Sequence, residues 1–134
     1  MSNYLVTLPA FLTWFPISAA LLAGFAVIYI RITPWAELRL IRAGNTAAAA
    51  SFSGAFLGYA LVLASVLANA VSRGDLLTWG VIGLLVQVLA FYVARWVLGP
   101  GLTRHMEEGQ VSSGLLLGTV SLAAGMLNAA SMIT

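Results

Sequence analysis

Four long apolar stretches without charged residues constrain this sequence more than any other feature. A helix needs about 20 mostly apolar residues to cross the hydrocarbon core of a bilayer, and a charge at its centre costs about 2.5 to 3.5 kcal/mol. The charge-free stretches are residues 1–30, 43–72, 76–94 and 109–134. Each is long enough for one crossing. The sequence therefore predicts four transmembrane helices, near 9–31, 47–71, 77–97 and 112–133.

The composition excludes a water-soluble domain. Only 7% of the 134 residues are charged, whereas 61% are apolar. Soluble domains carry about 25% charged residues because their surface must face water. The length fits one domain. We therefore predict an all-α integral membrane protein that forms a single membrane domain over residues 1–134.

The arginines predict the orientation of the chain in the membrane. There are six of them and no lysine, and Arg73 alone lies between the second and third helices. The other five lie in or beside the two remaining connections, at Arg31, Arg39, Arg42, Arg95 and Arg104. By the positive-inside rule, these two connections face the cytoplasm and both termini lie on the outer side of the membrane.

The first of these connections has the features of a short interfacial helix. Thr33 and Pro34 suit a helix start, and Trp35, Leu38 and Ile41 follow at helical spacing. A charged loop without regular structure is the alternative. Tryptophan at headgroup level and nearby arginines are typical of lipid contact. The residues expected to contact anionic lipid headgroups or a cytosolic partner are Trp35, Arg39, Arg42 and Arg104.

Similar segments recur in the two halves of the chain. Leu12-Thr13-Trp14 in the first helix resembles Leu77-Thr78-Trp79 in the third, and the segment 53–58 in the second helix resembles 113–118 in the fourth. Because each half contains two crossings, the halves point the same way, about an axis along the membrane normal. We predict two tandem parallel helical-hairpin repeats, over 9–72 and 77–133.

Small residues line one face of the second helix and one face of the fourth. In lipid, helices associate through close packing, for which Gly-x-x-x-Gly is the best-known pattern. We therefore expect helices two and four to form the centre and the bulkier helices one and three the flanks. The pattern leaves open whether the glycines pack within one subunit or between subunits. The predicted packing residues are Gly54, Gly58, Gly114, Gly118 and Gly125.

Polar side chains inside the predicted spans are the strongest candidates for function. Asn69 and Asn128 occupy corresponding positions in the two repeats. They either form interhelical hydrogen bonds, worth about 0.6 to 2 kcal/mol, or line a narrow path for ions, water or a small solute. Gln87 is expected to serve in packing or oligomer contact. The full set of intramembrane polar candidates is Ser65, Asn69, Gln87, Ser121 and Asn128.

No catalytic site is predicted. The spans contain no paired carboxylates and no nucleophile beside a base. His105, Glu107 and Glu108 are residue types that bind metals, but an exposed connection gives them no fixed geometry. We expect neither enzymatic activity nor a cofactor, a metal or a nucleic-acid partner.

Several motifs together resemble the YjfL-like small inner-membrane proteins. They cover most of the chain: Ile32-Thr33-Pro34, Asn45-Thr46-Ala47-Ala48, Phe52-Ser53-Gly54, Leu57-Gly58-Tyr59 and Asn69-Ala70. The resemblance implies a bacterial inner membrane, four helices from a duplicated pair, and a domain of unknown function. Relatives are often encoded near membrane-stress proteins of the phage-shock type, which implies a setting in envelope maintenance. One departure is Gln110-Val111-Ser112-Ser113, where an Asn-x-Ala-Ala stretch would match the first half.

Two functions are compatible with these features. The first is an oligomeric envelope-maintenance or membrane-stress component, in which small-residue faces build a homo-oligomer and basic connections meet anionic lipid or a cytosolic partner. The alternative is an oligomeric channel or facilitator for ions or small solutes, lined by helices two and four.

Overall fold

A computed structural model of the chain describes residues 2–132, with the side chains of residues 7–132. Residue 1 and residues 133–134, which the predicted domain and second repeat include, lie outside the described residues. The helices are α1 (Ser2–Ile32), α2 (Glu37–Arg42), α3 (Thr46–Asn69), α4 (Arg73–Leu98), α5 (Leu102–Glu107) and α6 (Val111–Ser131).

The four long helices confirm the predicted fold class of an all-α membrane protein. Each is long and apolar enough to cross a membrane, and their bounds differ from the predicted ones by only a few residues at most ends. No strand occurs between residues 2 and 132. The apolar segments that qualify as spans are Thr7–Ile32, Thr46–Asn69, Arg73–Leu98 and Val111–Ser131.

The helices of the two halves run in matching directions. α3 and α6 lie side by side and parallel, since Ala47 meets Gly114 near their first turns and Ser65 meets Ala129 near their last. α1 and α4 run antiparallel to this pair. Each half of the chain thus contains a long helix, a short helix and a second long helix, in the same order and direction. The duplication of the sequence itself stays a prediction.

The centre of the bundle is a direct backbone contact between α3 and α6. A Cβ atom added at Gly54 would lie 2.5 Å from Cα of Gly118, and one at Gly125 would lie equally close to the carbonyl carbon of Gly58. Gly114 meets the backbone of Ala47 in the same way. Because a methyl group has no room at these positions, glycine is required for the two helices to approach this closely.

Aromatic side chains join α1 to the centre. Phe25 packs on Tyr59 of α3 with ring centroids 4.8 Å apart, and Tyr29 meets Phe91 of α4 edge-on at 5.3 Å. Toward its start, α1 is much less covered, and Phe15 is 55% exposed. α1 is therefore the flank that the sequence predicts, held mainly by the second half of its length.

α4 is buried more deeply than a flanking helix. Gly80 and Gly83 let it approach α1 and α3, since added Cβ atoms would meet the side chains of Leu21 and Val62. The buried face of α4 consists of Leu76, Gly80, Gly83, Gln87, Phe91 and Ala94. The expectation of a lipid-facing third span therefore holds for the face with Trp79 and Trp96, which are exposed, and is wrong for Phe91, which is buried.

The short helices α2 and α5 are each followed by a glycine with positive φ, but the long helices that come next begin with different caps. Gly44 (φ 86°) and Gly109 (φ 75°) follow them in the left-handed conformation that favours glycine. Next, the Oδ1 atom of Asn45 accepts from the N–H of Ala48 at 2.9 Å and caps α3, whereas Gln110 makes no side-chain cap for α6. The departure at Gln110 is thus the loss of one helix cap.

We expect Gly118→Ala to destabilise the protein by about 1 to 3 kcal/mol, because the added methyl group meets the backbone of Ala50. Gly24→Ala is the matched control, since Gly24 has no atom within 4 Å of an added Cβ. Unfolding in mixed micelles, followed by circular dichroism, measures both. Equal stabilities of the two variants would contradict the close contact of α3 and α6.

Asn45 also joins the two halves, because its Nδ2 donates to the carbonyl of Met106 at 2.8 Å. We expect Asn45→Ala to lose both bonds and about 1 to 3 kcal/mol. Asn45→Ser keeps a capping oxygen but cannot reach Met106, so its loss should be smaller. Thermal unfolding in nanodiscs compares the variants, and a harmless Asn45→Ala would show that neither bond stabilises the fold.

Candidate functional site

Three predicted polar residues hold the spanning helices together. Gln87 of α4 donates from Nε2 to the carbonyl of Ser121 at 3.2 Å, and Ser65 donates to the carbonyl of Ala129 at 2.7 Å. Asn128 donates from Nδ2 to the carbonyl of Gly83 at 3.2 Å. These bonds connect α3, α4 and α6, so the structure brings these side chains into interhelical packing.

Asn69 does not mirror Asn128. It lies at the exposed end of α3 and donates to the carbonyl of Ser65 in its own helix, at 2.8 Å. Together with Trp79 and Asp75 it lines a cavity of about 200 Å³. The two asparagines therefore face different surroundings and do not line one common path within a subunit.

The predicted packing glycines all lie inside one subunit. Gly54, Gly58, Gly114, Gly118 and Gly125 are buried between α3 and α6. Any homo-oligomer must therefore use other faces of the protein than these.

Near the α2 end of the bundle, an acidic side chain is buried. Glu37, the first residue of α2, is only 1% exposed. Its Oε2 accepts a hydrogen bond from Nε1 of Trp35, while Oε1 has no partner among the described residues. Burial raises the pKa of Glu37 to about 7, and the bond from Trp35 opposes this rise.

Trp35 is also buried, so the prediction that it contacts lipid headgroups is wrong. It is 2% exposed and meets Phe91 edge-on, with ring centroids 6.2 Å apart. The predicted helix start at Thr33 and Pro34 is wrong as well. α1 continues to Ile32, and the Thr33 hydroxyl donates back to its last turn, which leaves α2 to begin at Glu37. The turn between the two helices folds the indole inward.

Glu37 was not singled out from the sequence, and its burial was not predicted. The available signal was that Glu37 is the only acidic residue among the three arginines of the first connection. A second polar pair lies near Glu37. The hydroxyl groups of Tyr29 and Ser51 share a buried hydrogen bond, and Tyr29 interacts electrostatically with Glu37.

The predicted arginines do lie at the surface. Arg39, Arg42 and Arg104 are exposed, and Arg104 forms an ion pair with Glu108 at 3.1 Å. Two grooves open at the end of the bundle that carries α2 and α5. One, of about 350 Å³, lies between these helices and includes Asn45. The other, of about 480 Å³, is lined by Tyr92, Arg95, Trp96, Gly99 and Pro100.

The described part of the chain contains no preformed metal site. No group of three His, Cys, Asp or Glu side chains there is placed to hold an ion. Glu108, a residue of a type that binds metals, accepts a hydrogen bond from Arg104. What the arrangement can do is pack helices, present basic side chains and hold one buried carboxyl group.

Comparison with known proteins confirms the family resemblance. The chain matches the family described as Domain of Unknown Function (DUF350) over residues 3–132. It is 41% identical over 130 residues to the UPF0719 inner membrane protein YjfL of Escherichia coli K12, covering 97% of this chain and 98% of the relative. The same protein of Escherichia coli O157:H7 matches equally. No solved structure matches. The chain is therefore a member of the DUF350 family.

Proposed function

We propose that the protein is a non-enzymatic, non-conducting accessory component of the bacterial inner membrane that serves envelope maintenance. The observation that carries the proposal is the closed centre of the bundle. Where a conduit would run, the backbones of α3 and α6 touch at Gly54 and Gly118. The relatives named inner membrane proteins support the location.

In this proposal, the surface at the α2 and α5 end of the bundle binds lipid headgroups or a protein partner. Exposed arginines there suit the phosphates of anionic lipids. The groove with Arg95 also carries Trp96, which is 83% exposed, and amphipathic rings of this kind settle at headgroup level. By the arginine count, this end faces the cytoplasm and the termini face the periplasm. A cytosolic membrane-stress protein is the partner class that this placement suits.

Homo-oligomerisation belongs to the proposal, with an interface outside the glycine face. A facilitator whose path lies at an axis between subunits is the alternative function. Within one subunit, the amide nitrogens of Asn128 and Gln87 donate to carbonyl groups of neighbouring helices, and Gln87 Oε1 is buried without a partner among the described residues. The two donated bonds favour the accessory role, because a path needs polar groups free to replace the hydration of a solute.

Flux measurements separate the two functions. We expect purified protein in liposomes to pass potassium, protons and glycerol no faster than protein-free liposomes do. Asn128→Ala should change stability but not flux, because its amide bonds to Gly83. Flux above background that drops in folded Asn128→Ala protein would establish the facilitator instead.

A cell assay tests the envelope role. We expect a strain without the protein to lose membrane potential sooner under osmotic or detergent stress, and native protein to restore it. The double variant Arg39→Gln/Arg42→Gln should fail to restore it, because both side chains are exposed at the interacting end. Arg73→Gln, at the opposite end, is the matched control. Full restoration by the double variant would exclude these arginines from the function.

A further inference from the structure

α2 is a six-residue helix, too short to be stable without contacts to the bundle. Arg39 and Arg42 point outward, and Leu38 is 45% exposed. Leu40 and Ile41 are partly buried against the core. The two fully buried side chains at its start are Trp35 and Glu37. The docking of this segment therefore buries one ionisable group, Glu37, beside the indole ring of Trp35.

The hydrogen bonds of the Glu37 carboxyl distinguish its two oxygens. Oε2 is occupied by the N–H of Trp35, whereas Oε1 is buried and has no partner among the described residues. A charged carboxylate in such a place is shielded from bulk solvent and has no counterion among the described residues, which favours the neutral acid. Because Oε2 already accepts a bond, Oε1 is the oxygen that takes the proton.

The groups facing Glu37 from neighbouring elements do not offset a negative charge. From α1 the facing ionisable group is Tyr29, which is hydrogen-bonded to the neutral Ser51 of α3. α4 contributes the ring of Phe91 through Trp35. The Thr33 hydroxyl lowers the pKa of Glu37, as the N–H of Trp35 does, but burial raises it by more than these two neutral groups lower it.

The basic side chains at the α2 and α5 end of the bundle do not pair with Glu37. Within α2 itself, Arg39 and Arg42 are exposed to the surroundings. Arg95, in the last turn of α4, lines the outer groove beside Trp96, and Arg104 of α5 is paired with Glu108. No ion pair to Glu37 occurs in the described part of the chain.

We propose that Glu37 is a proton-binding site that controls the docking of α2. The carboxyl group carries a proton on Oε1 while α2 is docked. Loss of this proton to water creates a buried, unpaired carboxylate, and α2 leaves the bundle together with the Trp35 indole. The protein thereby exposes a different surface at neutral and at acidic pH.

The direction of the pH effect follows from the two pKa values. In the docked state the pKa is about 7, and the ordinary value is 4.5. The docked state therefore holds its proton more firmly than the released state. Docking is strongest below pH 4.5, weakens about tenfold per pH unit up to about 7, and is constant above that.

Fluorescence of Trp35 tests this proposal on the full chain in nanodiscs. Replacing Trp14, Trp79 and Trp96 by Phe leaves Trp35 as the only indole. Acrylamide, a neutral water-soluble quencher, reports its exposure. We expect quenching to rise about twofold or more between about pH 5 and about pH 8. Glu37→Gln, which mimics the neutral acid, should hold quenching low at every pH. Glu107→Gln, an exposed control, should titrate like the parent.

Each result bears on the proposal. Quenching that does not change with pH in the parent, or that changes equally in Glu37→Gln, would overturn it. An infrared titration of the native chain keeps the test valid should Glu37→Gln fail to fold. The chain has only four acidic residues, and ordinary carboxyl groups ionise near pH 4. A carboxylic-acid C=O band that persists above about pH 6 supports the proposal, and its absence contradicts it.

Discussion

The structure depends on the close approach of two helix backbones in the absence of a hydrophobic drive between them. Lipid tails are as apolar as leucine, so helices in a bilayer gain little by hiding apolar surface from water. α3 and α6 instead gain contact where glycines remove every obstructing side chain, from Gly114 at one end to Gly125 toward the other. The bonds from Gln87 and Asn128 then add α4 to this pair, and the bond from Ser65 to Ala129 helps to fix the register of α3 and α6.

The spans could be predicted because their cause is local. A single charge inside a span is costly, and the positions of ten charges alone set the helix ends within a few residues. The glycine faces could be predicted for the same reason, since Gly54 and Gly58 lie one turn apart on one helix. Whether these faces pack within one subunit or between subunits could not be read from spacing, because the same pattern serves both kinds of contact.

The candidate site was only partly predictable. Arg39, Arg42 and Arg104 are exposed as their charge requires, but Trp35 and Glu37 depend on how far α1 extends and on the turn that follows it. Asn69 and Asn128 share a motif, yet Asn69 ends its helix while Asn128 lies opposite Gly83. Burial and partners of this kind arise from tertiary contacts, which one-dimensional spacing does not contain.

The two kinds of packing in this bundle differ in how freely they can rearrange. At Gly54 and Gly118 the two backbones are in direct contact, and no side chain at this contact can change its rotamer. We therefore expect α3 and α6 to move as one rigid body. α1, in contrast, meets its neighbours through side chains, with the rings of Phe25 and Tyr29 on α3 and α4 and a hydrogen bond between Tyr29 and Ser51. The connection carrying Glu37 follows directly after α1, so any rearrangement of these side-chain contacts is coupled through the chain to the position of α2.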